Sequence, residues 1–157
     1  MDKHLLMLAA LSCAATTSWA ADNEPADSIR TYELQGVQVT STRAGKKTPM
    51  AFSTLTQKQI KQVNFGQDIP YILSLTPSVT TTSDAGNGIG YTSIRVRGVD
   101  PSRINITANG VPVNDAESSQ VYFVNMADFA SSVQSMQIQR GAGTSTNGSG
   151  AFGATLN

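Results

Sequence analysis

Cysteine and histidine are nearly absent from the sequence, which has one residue of each type among 157. Both residues, Cys13 and His4, lie in the first 20 positions, a stretch with the features of a cleaved leader. Without that stretch, the chain has no disulfide, no thiol nucleophile, no imidazole base and no Cys/His metal site. Ser-His-Asp and Cys-His catalysis both need an imidazole. The sequence therefore predicts no enzyme of these classes, no metal site and no cofactor.

The sequence also lacks an excess of either charge, since 11 Lys and Arg balance 11 Asp and Glu. Proteins that bind nucleic acids normally carry a basic excess or a basic stripe, so no nucleic-acid partner is expected. Carboxylates could still act as catalysts by themselves. In the domain predicted over residues 44–157, however, Asp115 and Glu117 are the one close pair of acids, and they fall in a predicted loop. An enzymatic function is therefore disfavoured.

Long apolar runs are missing except near the N terminus, where Leu5–Ala15 is almost wholly apolar or small. This run is shorter than the roughly 20 residues that a membrane-spanning helix needs. Polar residues precede it, and Ser18-Trp19-Ala20 places small residues at the two positions that signal peptidase reads. We therefore predict a signal peptide over residues 1–20. The alternatives are a lipoprotein signal ending at Cys13 and a buried N-terminal helix.

Residues 34–43 (LQGVQVTSTR) alternate apolar and polar side chains in a way that favours an extended strand. The polar residues 21–33 before them are predicted to be disordered, and AGKKTP after them interrupts the alternation. A short β-competent peptide in such surroundings suits addition as a strand to the sheet edge of another protein. An edge strand of the chain's own domain is the alternative. The residues concerned are Val37, Gln38, Val39 and Thr40.

Residues 44–157 are predicted to form a small α+β domain with a mixed four-stranded sheet and short helices. Thr56 and Gln59 have the spacing of a capping box, Pro77 is expected to end a helix, and Asn125 is expected to cap one. Helices are accordingly predicted at Gln57–Val63, Gln67–Leu75 and Asn125–Ala130. Strands are predicted from alternation and β-branched residues at Phe52–Leu55, Ser78–Thr82, Thr92–Gly98, Ile104–Ala108, Val111–Val113 and Val133–Gln139.

Glycine dominates the last segment, Gly141–Asn157 (GAGTSTNGSGAFGATLN). Gly143–Gly150 has the glycine spacing of a phosphate-binding loop, but Ser149 stands where that loop needs lysine. A dinucleotide fingerprint fails as well, because Thr146 stands where its third glycine belongs and no acidic residue follows. The glycines are therefore expected to serve tight turns and close backbone approach. No strand or helix is predicted beyond Gly141.

Residues 140–157 resemble the end of the plug domain in TonB-dependent outer-membrane receptors, which typically reads Arg-Gly-Pro-x-Ser-x-x-Tyr-Gly-x-x-Ala-x-Gly-Gly-x-Ile-Asn. The spacing agrees throughout, and the matching residues are Arg140, Gly141, Gly148, Ala151, Gly153 and Asn157. The departures are Ala142, Thr144, Asn147, Ala154 and Leu156. Other segments resemble the family in the family's own order: VQVT at 37–40, DIPYILSLTPSV at 68–79, IRVRG at 94–98, INITANGVPV at 104–113 and the strand at 133–141. The resemblance covers Leu34–Asn157.

The resemblance implies roles for three sets of residues. Val37–Thr40 would be the TonB box, the peptide that pairs with the periplasmic domain of TonB. Arg95, Arg97 and Arg140 would pair with carboxylates of the surrounding C-terminal β-barrel, although Arg95 and Arg97 could instead hold an acidic substrate. Loops 84–91 and 114–122 are candidates for facing the substrate, with plain solvated turns as the alternative. Their candidate residues are Asn87, Tyr91, Asn114, Asp115, Glu117 and Tyr122.

The resemblance also implies a function, which is active import of a scarce nutrient across the outer membrane of a Gram-negative bacterium. An iron chelate, either a ferric siderophore or haem, is the expected cargo, with cobalamin and glycans as alternatives. A barrel of about 22 strands needs about 200 residues or more, so no barrel is expected in this chain. We expect a fragment, a truncated reading frame or an isolated plug that ends where the barrel would begin. A free periplasmic or secreted binding module with a plug fold is the alternative.

Overall fold

The computed structural model of the chain describes residues 41–143, 147–148 and 150–157. The predicted signal peptide, the predicted disordered segment 21–33 and the TonB-box-like residues 37–40 lie outside these residues. No helix in the described ranges is long and apolar enough to cross a membrane. The described residues belong to one compact unit of the chain.

The main element of the described part is a five-stranded mixed sheet with the strand order β1-β6-β7-β4-β5. Strands β4 and β7 run parallel, and the other neighbours are antiparallel. Strands β2 and β3 form a separate two-stranded antiparallel sheet. The strands are β1 (Ala51–Thr56), β2 (Val79–Ser83), β3 (Thr92–Val96), β4 (Ile104–Ala108), β5 (Val111–Pro112), β6 (Ser135–Arg140) and β7 (Ala154–Leu156).

Two short α-helices connect the first strands. Helix α1 spans Gln57–Val63, and the backbone N–H of Thr56 donates to Oε1 of Gln59 at 2.9 Å, as the capping-box spacing predicts. Helix α2 spans only Ile69–Ile72. The helix predicted over Gln67–Leu75 is therefore wrong in length, because tight turns closed by hydrogen bonds between residues three apart replace it after Ile72 and leave Leu75 exposed.

The segment before β6 also differs from its prediction. Asn125 does not cap a helix that reaches Ala130. It lies instead inside a 3₁₀ turn, Phe123–Met126, which is followed by a second turn, Phe129–Ser132. Asp128 separates the two turns in a left-handed conformation with φ of 50°, so no continuous helix can pass through it.

The α+β class with a mixed sheet and short helices is confirmed, but the sheet has five strands rather than four. The unpredicted strand is β7, which lies inside the sheet between β6 and β4. All three of its residues are buried. Leu156 is opposite Ile138 of β6 on one side and Ile106 of β4 on the other. The glycine-rich tail therefore ends in a central strand of the main sheet.

The hydrophobic core lies on one face of the main sheet and extends to β2, β3 and both helices. Alternation along the strands decides which side chains enter it. In β3, Ile94 and Val96 are buried while Arg95 is exposed, as predicted. Arg97 is exposed as well, although it lies just beyond the strand end and has a φ of 54°. The buried cluster comprises Ile60, Ile69, Ile72, Leu73, Val79, Ile94, Val96, Ile104, Ile106, Phe123, Ala130, Met136, Ile138, Ala154 and Leu156.

Candidate functional site

The two loops predicted to face a substrate meet in a cleft of about 180 Å³, which we call the loop cleft. Residues between 82 and 93 line one side, and residues 120–124 line the other. Tyr91 is 68% exposed and Tyr122 is 47% exposed, and both line the loop cleft. Among the described residues that line it, Asp84 is the one with a charged side chain. The loop cleft therefore presents two exposed phenol rings, which can make aromatic contacts, beside one carboxylate.

The first loop is held against helix α2 by its backbone. The N–H of Asp68 donates to the Gly88 carbonyl at 2.9 Å, and the N–H of Asp84 donates to the Tyr91 carbonyl at 3.1 Å. Gly88 has a φ of 81°, and a Cβ built there would lie 2.8 Å from the ring of Tyr71. The loop can approach α2 this closely because Gly88 has no side chain. The hydroxyl of Thr92, at the floor of the cleft, donates to the buried carboxylate of Asp68 at 2.8 Å.

The second loop is held by Asn114. Its amide nitrogen donates to the carbonyls of Ile104 and Ser119, each at 2.9 Å, and its amide oxygen accepts from the Ile106 N–H at 2.8 Å. Asp115 turns the loop by accepting from the backbone N–H and the hydroxyl of Ser118, and these bonds hold its pKa below the ordinary value. In the structure, Asn114 and Asp115 are thus engaged in shaping the loop.

This role of Asn114 gives a stability prediction. Asn114→Ala leaves three backbone groups without their partner, and the side chain is half-buried. We expect a loss of about 1–3 kcal/mol in the free energy of unfolding. The matched control is Asn87→Ala, which removes an exposed side chain bonded to the Ile89 N–H and should change stability by less than about 0.5 kcal/mol. Urea unfolding measures both; equal losses would contradict this assignment.

The six candidate loop residues therefore separate into two groups. Tyr91 and Tyr122 are brought together in the loop cleft. Asn87, Asn114, Asp115 and Glu117 are not part of its lining. Asn87 and Glu117 are exposed on their loops. That any of the six touches a substrate stays a prediction.

The three arginines predicted to meet a barrel wall have neighbours within the described domain. Nη2 of Arg95 lies 3.7 Å from Oδ2 of Asp100, in a pair that is about half exposed. Nη1 of Arg140 donates to the Ser53 hydroxyl at 2.8 Å. Arg97 is exposed, and its Nη1 approaches Gly141. Pairing of these arginines with barrel carboxylates stays a prediction.

A buried polar cluster on β6 was not anticipated from the sequence. Gln137 is 4% exposed and Gln139 is 1% exposed. Oε1 of Gln137 accepts from the Ala44 N–H at 2.7 Å, and its Nε2 donates to the Ala44 carbonyl at 3.0 Å. Nε2 of Gln139 donates to the Thr42 carbonyl at 2.8 Å. The glutamine side chains thereby bind the backbone of residues 42–44 much as a neighbouring strand would.

Arg43 completes this arrangement, which we call the polar clamp: residues 42–44 held by Ser135, Gln137, Gln139 and Asn157. Nη1 of Arg43 donates to the Ser135 hydroxyl at 2.7 Å, and Nη2 donates to the carbonyls of Ser135 at 3.0 Å and Asn157 at 3.3 Å. Partial burial lowers the pKa of Arg43. Nδ2 of Asn157 also donates to the Thr42 carbonyl at 3.3 Å. The end of the predicted coupling segment, Thr42 and Arg43, and the first residue of the segment that follows it, Ala44, are therefore fixed to the sheet.

The described residues contain no group of three or more His, Cys, Asp or Glu side chains placed to hold a metal ion. The two arrangements described above offer hydrogen bonding, aromatic contact and backbone pairing. The loop cleft provides hydrogen bonding and aromatic contact, and the polar clamp provides hydrogen bonding and backbone pairing.

Residues 44–155 match the family described as TonB-dependent Receptor Plug Domain. The match, together with the fold, shows that this chain belongs to the plug domains of TonB-dependent receptors. Members of this family are domains of transport receptors, not domains of enzymes.

Individual relatives agree with this assignment. A curated protein described as the probable TonB-dependent siderophore receptor PirA of Acinetobacter baumannii is 24% identical over an alignment of 172 positions, gaps included. The alignment covers 99% of this chain and 23% of PirA. The chain therefore spans about a quarter of that relative's length.

Three solved structures share the fold. The crystal structure of the siderophore receptor PirA from Acinetobacter baumannii aligns with a TM-score of 0.50 and 23% identity, over 68% of this chain and 16% of that one. The ferric enterobactin receptor PfeA aligns with a TM-score of 0.54 and 23% identity, over 72% and 18% of the two chains. The copper transporter OprC aligns with a TM-score of 0.53 and 19% identity, over 76% and 17%.

Proposed function

We propose that this chain is the plug and energy-coupling part of a TonB-dependent receptor that imports an iron chelate across the outer membrane of a Gram-negative bacterium. The observation that carries the proposal is the loop cleft. Two loops that are distant in sequence meet there, and each contributes an exposed tyrosine, Tyr91 and Tyr122. The siderophore receptors among the relatives support iron as the cargo.

In the proposed mechanism, the chelate binds from outside to the plug loops and to loops of the C-terminal barrel. The TonB box, Val37–Thr40, is then available in the periplasm. The periplasmic domain of TonB takes it up as an added strand, whose backbone hydrogen bonds resist a pull along the strand whatever the cargo. TonB pulls, the plug is remodelled and the chelate passes.

The charge of the loop cleft narrows the class of chelate. Its described lining contains the carboxylate of Asp84 and no lysine, arginine or histidine. The sequence has no basic residue between Arg103 and Arg140, a stretch that includes the whole second loop. A polyanionic chelate would meet a like charge here and no counter-charge from the plug. Tyrosine rings favour flat or cationic groups. We therefore propose a ferric siderophore of neutral or positive net charge.

The test uses the full-length gene product in a strain that lacks its own copy, supplied with radiolabelled iron. The probes are a neutral ferric trihydroxamate and a trianionic ferric tris-catecholate. We expect TonB-dependent uptake of the hydroxamate at least about tenfold above that of the catecholate, equivalent to about 1.4 kcal/mol of discrimination. Uptake of the catecholate alone would overturn the charge argument. Uptake of neither chelate, with uptake of cobalamin or a glycan instead, would overturn iron as the cargo.

Equilibrium binding of the transported chelate to cells that carry the receptor tests the loop cleft directly. Tyr91→Ala is expected to weaken binding of the transported chelate by about 2- to 10-fold, because an aromatic contact contributes about 0.5–1.5 kcal/mol. Phe65→Ala is the matched control, since Phe65 is an exposed aromatic residue outside the cleft lining. Its binding should not change. Equal weakening by both variants would place the ligand elsewhere than the loop cleft.

A further inference from the structure

The polar clamp lies between the proposed TonB box and the first strand of the plug. We propose that the polar clamp bears a pulling force applied to the chain upstream of Thr42. Its hydrogen bonds break before the strand pairing of the main sheet does, so the clamp is the mechanical release element of the coupling segment. The inference rests on the proposed function, because TonB supplies the pull. It assigns Arg43, Gln137 and Gln139 as positioning residues for energy coupling.

The contacts of residues 42–44 determine where a pull enters the plug. The Thr42 carbonyl accepts two hydrogen bonds, from Gln139 and Asn157. Gln139 lies on β6, and Asn157 directly follows β7. A load on Thr42 thus reaches the two strands inside the main sheet without first passing through the edge strand β1. Ser135 and Gln137, which hold Arg43 and Ala44, also belong to β6.

The clamp can open without damage to the sheet because its bonds come mainly from side chains. Strand β6 keeps a six-residue antiparallel pairing with β1 and a shorter one with β7 that do not involve residues 42–44. Met136 and Ile138 pack in the hydrophobic core, whereas Gln137 and Gln139 project from the opposite face. Opening the clamp therefore exposes amide groups, which water can satisfy, and the small side chain of Ala44, while the main hydrophobic cluster stays covered.

The next contacts along the chain belong to strand β1. Residues 45–50 connect the clamp to Ala51, whose partner in the ladder is Arg140. Once the clamp has opened, the load reaches this end of the edge strand. The structure therefore predicts two successive events under a pull: release of residues 42–50, and then rupture of the β1–β6 ladder.

The experiment is single-molecule pulling on the N terminus of the full-length receptor in a supported bilayer. Residues 42–50 span at most about 30 Å when extended. Wild-type receptor is expected to show a first step smaller than this length, because the span of these residues in the fold is subtracted, before the larger steps that unfold the plug. The double variant Gln137→Leu, Gln139→Leu should lose that step. Gln134→Leu, an exposed glutamine just before β6, is the matched control and should keep it.

A second variant separates loss of the clamp from loss of folding. Arg43→Met removes three clamp bonds but keeps the two glutamines and most of the aliphatic stem. It should lower the force of the first step and leave the later steps at their wild-type force. A wild-type trace without the first step, or a step that survives unchanged in both clamp variants, would overturn the proposal.

Uptake measurements distinguish this proposal from the one on which it rests. A receptor that takes up no chelate in a TonB-dependent manner, but whose first pulling step is lost in the clamp variants, would contradict the proposed function and leave the clamp intact. A receptor with TonB-dependent uptake and an unchanged first step in the clamp variants would contradict the clamp alone.

Discussion

Replacing Leu156 with alanine is expected to lower the free energy of unfolding by about 2–5 kcal/mol, the range found for truncation of buried aliphatic side chains. Leu156 is 3% exposed. It lies in the middle of the main sheet, with Ile138 on one neighbouring strand and Ile106 on the other. Truncation would leave a cavity between three strands whose backbone pairing prevents them from closing over it.

The measurement is urea unfolding, in which a loss of stability lowers the midpoint at a constant slope. Phe152→Ala is the control, because Phe152 lies in the same glycine-rich tail but is 70% exposed. It should change stability by less than about 0.5 kcal/mol. If Leu156→Ala behaved like Phe152→Ala, the last residues of the chain would not form a central strand.

Strand β7 shows why part of the fold could not be predicted from the sequence. It has three residues, too few for an alternating pattern, and it follows a glycine-rich segment. Its parallel neighbour β4 lies about fifty residues earlier in the chain. Such pairing depends on tertiary packing rather than on local preference. Helix α1 was predictable because the capping box that starts it is local.

The tail glycines have a related explanation. A Cβ built on Gly153 would lie 2.5 Å from Cγ1 of Val99, and the N–H of Gly153 donates to the Arg103 carbonyl at 2.8 Å. Close backbone approach, the general role expected for these glycines, therefore occurs within the plug, next to β7. The sequence indicates the need for such an approach, but the partner becomes visible only once β7 is placed beside β4.

The polar clamp could not be predicted from the sequence for a different reason. Alternation along β6 correctly assigns Met136 and Ile138 to the core. The same alternation assigns Gln137 and Gln139 to a solvent-facing side, yet both are buried under residues 42–44. Alternation distinguishes the two faces of a strand, but it cannot show that a second segment of the chain covers the polar face. Two glutamines at alternate positions of a core strand were the signal available.

The candidate site was predictable in part for similar reasons. Glycine and polar residues located the two loops, and the structure brings Tyr91 and Tyr122 together at the loop cleft. From the sequence, these two tyrosines and Asn114 were equal candidates for contact with a substrate. In the structure, the amide of Asn114 holds its own loop. A polar side chain in a loop can hydrogen-bond either to the backbone of that loop or to a ligand. Its hydrogen-bond partners in the structure distinguish the two roles.

Replacing Val39 with proline is expected to reduce TonB-dependent uptake to the level of a strain without TonB, while chelate binding stays at its wild-type affinity. Strand addition uses the backbone N–H groups of the added peptide, and proline removes one of them and fixes φ near −65°. Val39→Ile is the control, because it keeps the N–H and the β-branched shape. Uptake of radiolabelled iron and equilibrium binding on whole cells measure the two effects separately.

The two measurements together also decide between the alternatives for Val37–Thr40. If these residues were an edge strand of the plug itself, proline would disturb the domain, and binding and stability would fall along with uptake. If they are the TonB box, the substitution acts upstream of the polar clamp, so the plug and the loop cleft should be unaffected. Wild-type uptake by the Val39→Pro receptor would contradict the assignment of Val37–Thr40 as the TonB box.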